Sequence, residues 1–161
     1  MANQMVFVKP DGIDGESTDE KHNNWIEATS ISFGAAASVT ITSTAGARTG
    51  AERVNIQELQ FTKPLDAASP KLFEHVCTGK HIPTVQIEFV NPVGAHEVFL
   101  KVKLTDAIVS GVSAAGGGDW PQESVSMAFS KIEFDYIQYG KDGSRKGSKT
   151  AGWDLAKNVK V

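Results

Sequence analysis

Residues 66–81, DAASPKLFEHVCTGKH, are the one segment of this chain with a convincing helical pattern, and the segments around it have the two-residue period of β-strands. Ser69 is a candidate N-cap residue, and Pro70 follows at a position where a missing N–H costs nothing. Gly79 suits the left-handed conformation that ends many helices. A single short amphipathic helix has one face to bury, and only β-sheet is available to cover it.

The predicted helix has one apolar stripe. The residues at helical spacing that we expect to pack against the sheet are Leu72, Phe73, Val76 and Cys77. Those expected on the outer face are Lys71, Glu74, His75 and Thr78. Cys77 is the only cysteine, which excludes intramolecular disulfides, and on this stripe it is more typical of a small buried residue than of a reactive thiolate.

The other segments predict short strands joined by turns. Residues 83–90 and 96–104 form the clearest hairpin, with Val85, Ile87 and Phe89 directed inward. Breaks in the alternation near Gln57 and after Phe129 predict bends. Residues 11–24, 114–122 and 140–151 are predicted as polar or glycine-rich loops. The pattern favours a closed or nearly closed barrel, or a sandwich, formed as one domain over residues 1–161.

Residues 25–33 alternate between a bulky face and a small one. Trp25, Ile31 and Phe33 project one way, while Ala28, Ser30 and Ser32 project the other. Residues 34–50 follow as an extended arm, rich in Ala, Ser, Thr and Gly, that does not resemble core. Loops of this length in compact domains commonly serve a function.

Composition excludes several classes of partner. The net charge of −3 offers no electrostatic basis for binding nucleic acid or an anionic membrane. No apolar run reaches the ~18 residues of a membrane span. The N-terminal residues lack the basic region of an ordinary signal peptide, so we expect synthesis in the cytoplasm and no cleaved leader.

The sequence predicts no catalytic, metal or cofactor site. The four histidines, His22, His75, His81 and His96, lie in separate segments and are interpreted as surface or turn residues. The acidic segment DGIDGESTDE lacks the register of a calcium-binding EF-hand loop, so a solvated turn is the better interpretation. No triad or phosphate-binding motif is complete, and we therefore predict that the protein is not an enzyme.

Several motifs, taken in order, resemble one family along nearly the whole chain. They are Gly15-Glu16-Ser17 with His22, Trp25-Ile26-Glu27, Phe61-Thr62-Lys63, Ser69-Pro70-Lys71-Leu72, Gly79-Lys80-His81, residues 109–113, Pro121-Gln122-Glu123-Ser124-Val125, Lys131-Ile132-Glu133 with Tyr136, and Gly152-Trp153-Asp154-Leu155. In these motifs the chain resembles the haemolysin-coregulated protein (Hcp) family, the tube subunit of bacterial type VI secretion. Gly111 departs from the family, which more often has Ser there.

The resemblance implies a β-barrel of two sheets with one flanking helix and an extended loop, assembled as a homohexameric ring. Such rings stack into a tube that lies under a spike protein and inside a contractile sheath, and that is expelled on sheath contraction. Small effector proteins can travel in the lumen. The subunit would be cytoplasmic before firing and then secreted in bacterial competition or virulence.

Two expectations about surfaces follow from the resemblance together with the residue pattern. Ala28, Ser30 and Ser32 are expected to line the lumen, with Trp25, Ile31 and Phe33 towards the barrel core. The arm at residues 34–50 is expected to reach an adjacent ring or subunit, and its candidate contact residues are Ser38, Thr40, Thr42, Thr44 and Arg48.

Two other interpretations stay open on the residues alone. A phage-type tail-tube protein would share the barrel and differ only in the family motifs. A monomeric β-sandwich binding module would need an exposed aromatic platform, for which Trp120 is the one candidate, although a turn-packing role suits it better.

Overall fold

The computed structural model describes residues 5–40, 50–92 and 94–161. In chain order its elements are β1 (Met5–Pro10), β2 (Ile26–Ala28), β3 (Ser30–Ser32), β4 (Ala35–Thr40), β5 (Gly50–Ile56), β6 (Leu59–Pro64), α1 (Ser69–Thr78), β7 (His81–Val90), β8 (Val98–Gly117), β9 (Asp119–Tyr139), β10 (Arg145–Asp154) and β11 (Val159–Lys160). The predicted mainly β fold with one short helix is confirmed.

The strands form two sheets. The larger is nine-stranded, in the order β11-β10-β9-β8-β7-β1-β2, with β6 also paired to β9 and β3 paired to β6. Strands β4 and β5 form the smaller sheet, in which β4 and the first residue of β5, Gly50, belong to the predicted arm. All nine strand pairings among the described residues are antiparallel, as expected for a chain of alternating strands and short turns.

The large sheet does not close into the predicted barrel. Strand β2 pairs with β1 and β3 pairs with β6, and Thr29 lies between these two short strands. The Thr29 amide and hydroxyl both donate to the Thr62 carbonyl, at 2.7 and 3.0 Å. The β2 end and the β3 end of the sheet are therefore joined through the chain at Thr29, and no ladder of strands joins β2 to β6 in the described residues.

The hairpin of β8 and β9 is longer than the sequence predicts. Residues 114–117 and 119–122, predicted as a glycine-rich loop, continue the ladder up to a turn at Gly118. The φ of Gly118 is +93°, a conformation that favours glycine. Residues 145–151, predicted as part of a polar loop, likewise belong to a strand, β10. These strands are exposed, so they lack the apolar alternation by which strands are recognised in sequence.

The predicted bend in β9 is confirmed, and β8 bends with it. Buried positions in β9 change phase between Phe129 and Ile132, and those in β8 change between Leu104 and Ala107. Asp106 lies at the corner with a φ of +52°. The hairpin can therefore present apolar side chains to the same core on both sides of the corner.

Helix α1 ends as predicted but begins differently. Gly79 has a φ of +68° and donates its amide to the His75 carbonyl at 2.9 Å. Ala68 is the N-cap, and Ser69 is the first helical residue. The Ser69 hydroxyl accepts from the Lys63 ammonium at 2.9 Å and from the Asp66 amide at 3.1 Å. Since that hydroxyl is held by groups outside the helix, it caps no helical amide.

The helix is rotated relative to the predicted stripe. Leu72 is fully buried and Val76 packs partly buried against the core, as predicted. Phe73 is 62% exposed and Cys77 is exposed, so their predicted burial is wrong, and His75, predicted outward, is buried. Leu72 and Val76 are shared by the predicted stripe and the observed one. The helix packs on β8, and Lys63 holds Ser69 at its start. These contacts orient the helix so that Ser69 and His75 are buried with Leu72.

One apolar core lies between the large sheet and α1. Within it, the predicted hairpin residues Val85 and Ile87 are fully buried, and Phe89 packs partly buried against them. The break near Gln57 is also confirmed, because β5 ends at Ile56 and β6 begins at Leu59. Fully buried members of the core include Val8, Ile13, Ile26, Leu59, Leu72, Leu104, Ala107 and Met127.

Candidate functional site

One exposed surface of the large sheet is covered with small polar side chains. It is formed by β3, β6, the first half of β9 and residues 110–117 of β8. Two rows cross these strands: Ser30, Thr62, Ser124 and Ser113 in one, and Ser32, Gln60, Ser126 and Gly111 in the other. We call these eight residues the serine face. A shallow groove of about 450 Å³ runs across it.

The row between these two points to the opposite side of the sheet. It consists of Ile31, Phe61, Val125 and Val112, which lie in register across the same four strands. Phe61 and Val125 are buried, while Ile31 and Val112 are partly buried against the core. Alternation by one residue therefore separates the serine face from the core in all four strands.

A β-bulge in β8 adds a hydroxyl to the serine face. The register shifts between Val109 and Gly111, so that Ser110 also lies beside Ser126. The Ser110 hydroxyl contacts Ser126 Oγ at 2.9 Å and donates to Glu58 Oε2 at 2.8 Å. A Cβ on Gly111 would lie 2.9 Å from Ser126 Oγ, so the glycine leaves room for this contact.

The structure places two of the three predicted small-face residues together. Ser30 and Ser32 are exposed on the serine face. Ala28 is buried in the core beside Ile26, so its predicted outward position is wrong. The reason is the passage from β2 to β3 at Thr29, which changes the phase of the alternation. Ile31 and Phe33 do pack against the core, as predicted, and Trp25 is half-buried.

Most residues of the serine face were not among those predicted from the sequence. Gln60 and Thr62 alternate with buried Leu59 and Phe61 in β6, and Ser124 and Ser126 flank buried Val125 in β9. That alternation is visible in the sequence. The sequence does not show which polar segments lie side by side, because that depends on the pairing of β6 with β9 across 60 residues of chain.

The four-stranded region has two open edges in the described residues. Strand β3 pairs with β6 on one side only, and residues 110–117 of β8 pair only with β9. Along these four strands the direction alternates, so the two outermost strands run in opposite directions. An unpaired strand edge is a template for pairing with another chain.

A buried ionic cluster lies at the end of this region, on the core side. Lys63 is fully buried, and its ammonium contacts Asp66 Oδ1 at 2.8 Å, Ser69 Oγ at 2.9 Å and Glu123 Oε2 at 3.3 Å. Glu123 is also buried, and its Oε1 has no hydrogen-bond partner. The cluster joins β6, β9 and the start of α1, where a charge without a partner would be costly.

His22 is not the surface residue that the sequence predicts. It is 1% exposed, and its ring stacks on Phe7 with a centroid distance of 4.3 Å. Its Nδ1 donates to Asp19 at 2.7 Å, while Nε2 lies 3.5 Å from Glu88. The hydrogen bond from His22 lowers the pKa of Asp19 below 3.8. His22 thereby holds the acidic loop against β1. His75, described above, is the other buried histidine in the described ranges, while His81 and His96 are exposed.

Only some of the predicted contact residues of the arm lie within the described residues. Ser38 is exposed in β4 and Thr40 is the last residue of that strand. Thr42, Thr44 and Arg48 lie outside the described residues.

Trp120 is 67% exposed at the start of β9, and its Nε1 donates to the Leu65 carbonyl at 2.8 Å.

The described part of the chain gathers no three His, Cys, Asp or Glu side chains in a metal-binding arrangement. Its one helix is too short and too polar to cross a membrane. The surfaces that distinguish it are the serine face and the two strand edges that flank it.

Comparison with known proteins identifies the family. The family model described as "Type VI secretion system effector, Hcp" matches residues 7–136. The chain belongs to the Hcp family of type VI secretion proteins. It is 32% identical over 160 residues to Protein hcp1 of Pseudomonas aeruginosa strain PAO1, covering 97% of this chain and 98% of that protein.

Solved structures of Hcp proteins share the fold. Hcp1 from Salmonella typhimurium superimposes with a TM-score of 0.81 at 34% identity, over 100% of both chains. A structure described as a type six secretion system protein gives a TM-score of 0.89 at 33% identity, over 98% of this chain and 99% of that one. The family resemblance stated from the sequence motifs is confirmed.

Proposed function

We propose that this Hcp protein is the structural subunit of the type VI secretion inner tube, and that it assembles as hexameric rings whose lumen is lined by the serine face. The observation that carries the proposal is the pair of open strand edges, on β3 and β8, at the two sides of one polar-faced sheet. The family membership supports the same role.

The directions of the strands support closure into a ring. The β8 edge of one copy can meet the β3 edge of the next and preserve antiparallel alternation, because these two outer strands run in opposite directions. Such a contact uses two different surfaces of the same subunit. A heterologous contact of this kind produces a closed ring when its rotation closes.

The chemistry of the serine face suits a lumen that accepts different cargo. Hydroxyl and amide groups donate and accept hydrogen bonds without fixed charge. A lining of this kind remains hydrated and attracts no protein strongly by charge or by apolar burial. The apolar row on the opposite side anchors the lumen wall to the subunit core.

The remaining parts of the proposal follow the family. Stacked rings would form the tube, with a spike protein at its tip and a contractile sheath around it, and small effector proteins would travel in the lumen. The subunit would wait in the cytoplasm and leave through the type VI apparatus. No part of the proposal requires an enzymatic activity, a nucleic acid or a membrane.

Imaging and mass measurement test the ring. Negative-stain microscopy and native mass spectrometry of the purified protein should show six-fold rings. A monomer at high concentration would contradict the tube and favour the binding module with Trp120 as its platform.

Replacement of Ser32 tests the lumen assignment. Ser32→Arg should leave rings intact and reduce the amount of effector that co-purifies or is exported, because a long charged side chain would occupy the lumen. Ser144→Arg is the matched control, since Ser144 is exposed in the turn between β9 and β10, away from the serine face. Loss of the ring in Ser32→Arg alone would overturn the lumen assignment.

The arm is proposed to contact an adjacent ring or subunit. Deletion of residues 41–49 with a two-residue turn between β4 and β5 should weaken stacking of rings into tubes. Tubes of unchanged length and stability in electron micrographs would contradict this role.

A further inference from the structure

An apolar cup lies where β3 leads into the arm. It has a volume of about 430 Å³, and its lining includes Phe33, Ala35, Val54, Ile56, Phe134 and Trp153. Among the described residues that line it, Gln57 is the one with a polar side chain. Phe33 and Ala35 directly follow β3, so the cup is continuous with one of the two open strand edges.

Phe73 is exposed beside the other open edge. The start of α1 is tied through Lys63 to Glu123, whose partner on β8 is Ala114. The end of α1 leads within three residues to His81, whose partner on β8 is Ile108. The helix therefore runs along the unpaired part of β8, and Phe73, 62% exposed, lies in its first half.

We propose that Phe73 of one subunit packs into the cup of the next subunit around the ring. This inference rests on the proposed pairing of the β8 edge of one copy with the β3 edge of the next. Given that pairing, helix and cup lie at the same junction. They also lie in the same layer, because Phe33 packs on the core side of β3 and α1 covers the core side of β8.

The occupant of the cup is a second copy of this chain. The aromatic residue and the apolar cup lie at opposite ends of the four-stranded region, and they can meet only between subunits. Aromatic side chains bury 150–250 Å² and dominate the energetics of interfaces, especially where they fill a pocket. The contact would exclude water from the outer layer of the junction, opposite the lumen.

Phe73→Ser tests the contact by its effect on ring dissociation. The protein concentration at which rings are half dissociated, measured by analytical ultracentrifugation, should rise by about 30-fold or more, the effect typical of a hot-spot residue. Phe73→Leu should keep most of the affinity. Glu74→Ser is the matched control, because Glu74 is the exposed neighbour on the same helix and does not belong to an apolar surface. The melting temperature of dilute, monomeric Phe73→Ser should match that of the wild type.

Crosslinking tests the geometry independently. Cys77 is exposed one helical turn after Phe73 and is the only cysteine of the chain. In Ala35→Cys, a short bis-maleimide should join Cys77 of one subunit to residue 35 of the next and give a ladder of covalent oligomers that ends at the closed ring. Wild-type protein and Ser144→Cys should give no ladder.

The outcomes separate this inference from the tube itself. Rings that form normally in Phe73→Ser, or an absent ladder in intact Ala35→Cys rings, would overturn the contact and leave the tube proposal standing. Wild-type protein that remains monomeric at high concentration would overturn both.

Discussion

The two faces of the sheet formed by β3, β6, β9 and β8 differ in what they contribute. On the core side, Phe61 and Val125 are at most 2% exposed and pack under α1 and the rest of the sheet. On the other side, Ser30, Ser32 and Gln60 are exposed and contact little of their own subunit. The core side therefore provides the stabilising contacts, whereas the serine face is available to contact other molecules.

The core side is not uniformly apolar, and this adds to the contrast. At its end, in register across β6 and β9, lie Lys63 and Glu123, both buried. Buried charges are tolerated only when paired and hydrogen-bonded. Substitutions on the core side should therefore cost several times more than substitutions one residue away on the serine face.

The largest effect is expected under the helix. Leu72→Asp places a charge without a partner in the core, which should leave no soluble folded protein. Expression and solubility measure the result. Cys77→Ala is the matched control on the same helix, and it should change the free energy of unfolding by less than about 0.5 kcal/mol because Cys77 is exposed. Soluble, cooperatively folding Leu72→Asp would show that α1 is not part of the core.

Lys63→Met should cost about 3–5 kcal/mol of unfolding free energy, because it leaves Glu123 buried without its counter-charge. Chemical denaturation measures the loss. The double variant Lys63→Met/Glu123→Leu should recover most of it, since an apolar pair can replace a buried ion pair. A single variant that loses less than about 1 kcal/mol would mean that the cluster is solvated.

Adjacent residues in β6 test the contrast between the faces directly. Leu59→Ala should cost about 2–5 kcal/mol because Leu59 is fully buried, whereas Gln60→Ala should stay within about 0.5 kcal/mol. Urea unfolding of both variants measures the difference. Equal effects at the two positions would indicate that the serine face is covered even in the isolated subunit.

The smallest effect concerns the acid stability of the loop that His22 holds against β1. The hydrogen bond from His22 lowers the pKa of Asp19 below 3.8 in the folded protein. The stabilisation is therefore present above about pH 4 and is lost as the pH falls through the folded pKa. Asp19→Asn should be slightly less stable at pH 7 and should lose less on acidification than the wild type. Thermal melts at pH 7, 4 and 3, with exposed Glu20→Gln as control, check this.

Local pattern predicted the fold where a strand is covered on one face. Apolar alternation predicted the hairpin of β7 and β8, the break at Gln57 and the bend after Phe129, because the alternating residues are the buried ones. The exposed strand segments at residues 114–122 and 145–151 were predicted as loops, because backbone pairing leaves no mark on the side-chain pattern. The candidate site was found in part, through Ser30 and Ser32.

The sequence by itself determined the class of fold, the one helix with its end at Gly79, and, through ordered motifs, the Hcp family. Tertiary structure alone decided which stripe of α1 is buried, the outward position of Phe73, and the phase change at Thr29 that takes Ala28 into the core. These depend on which surfaces meet. The periods of 3.6 residues in a helix and 2 residues in a strand determine which side chains share a face. Only packing against distant residues determines which of those faces is covered.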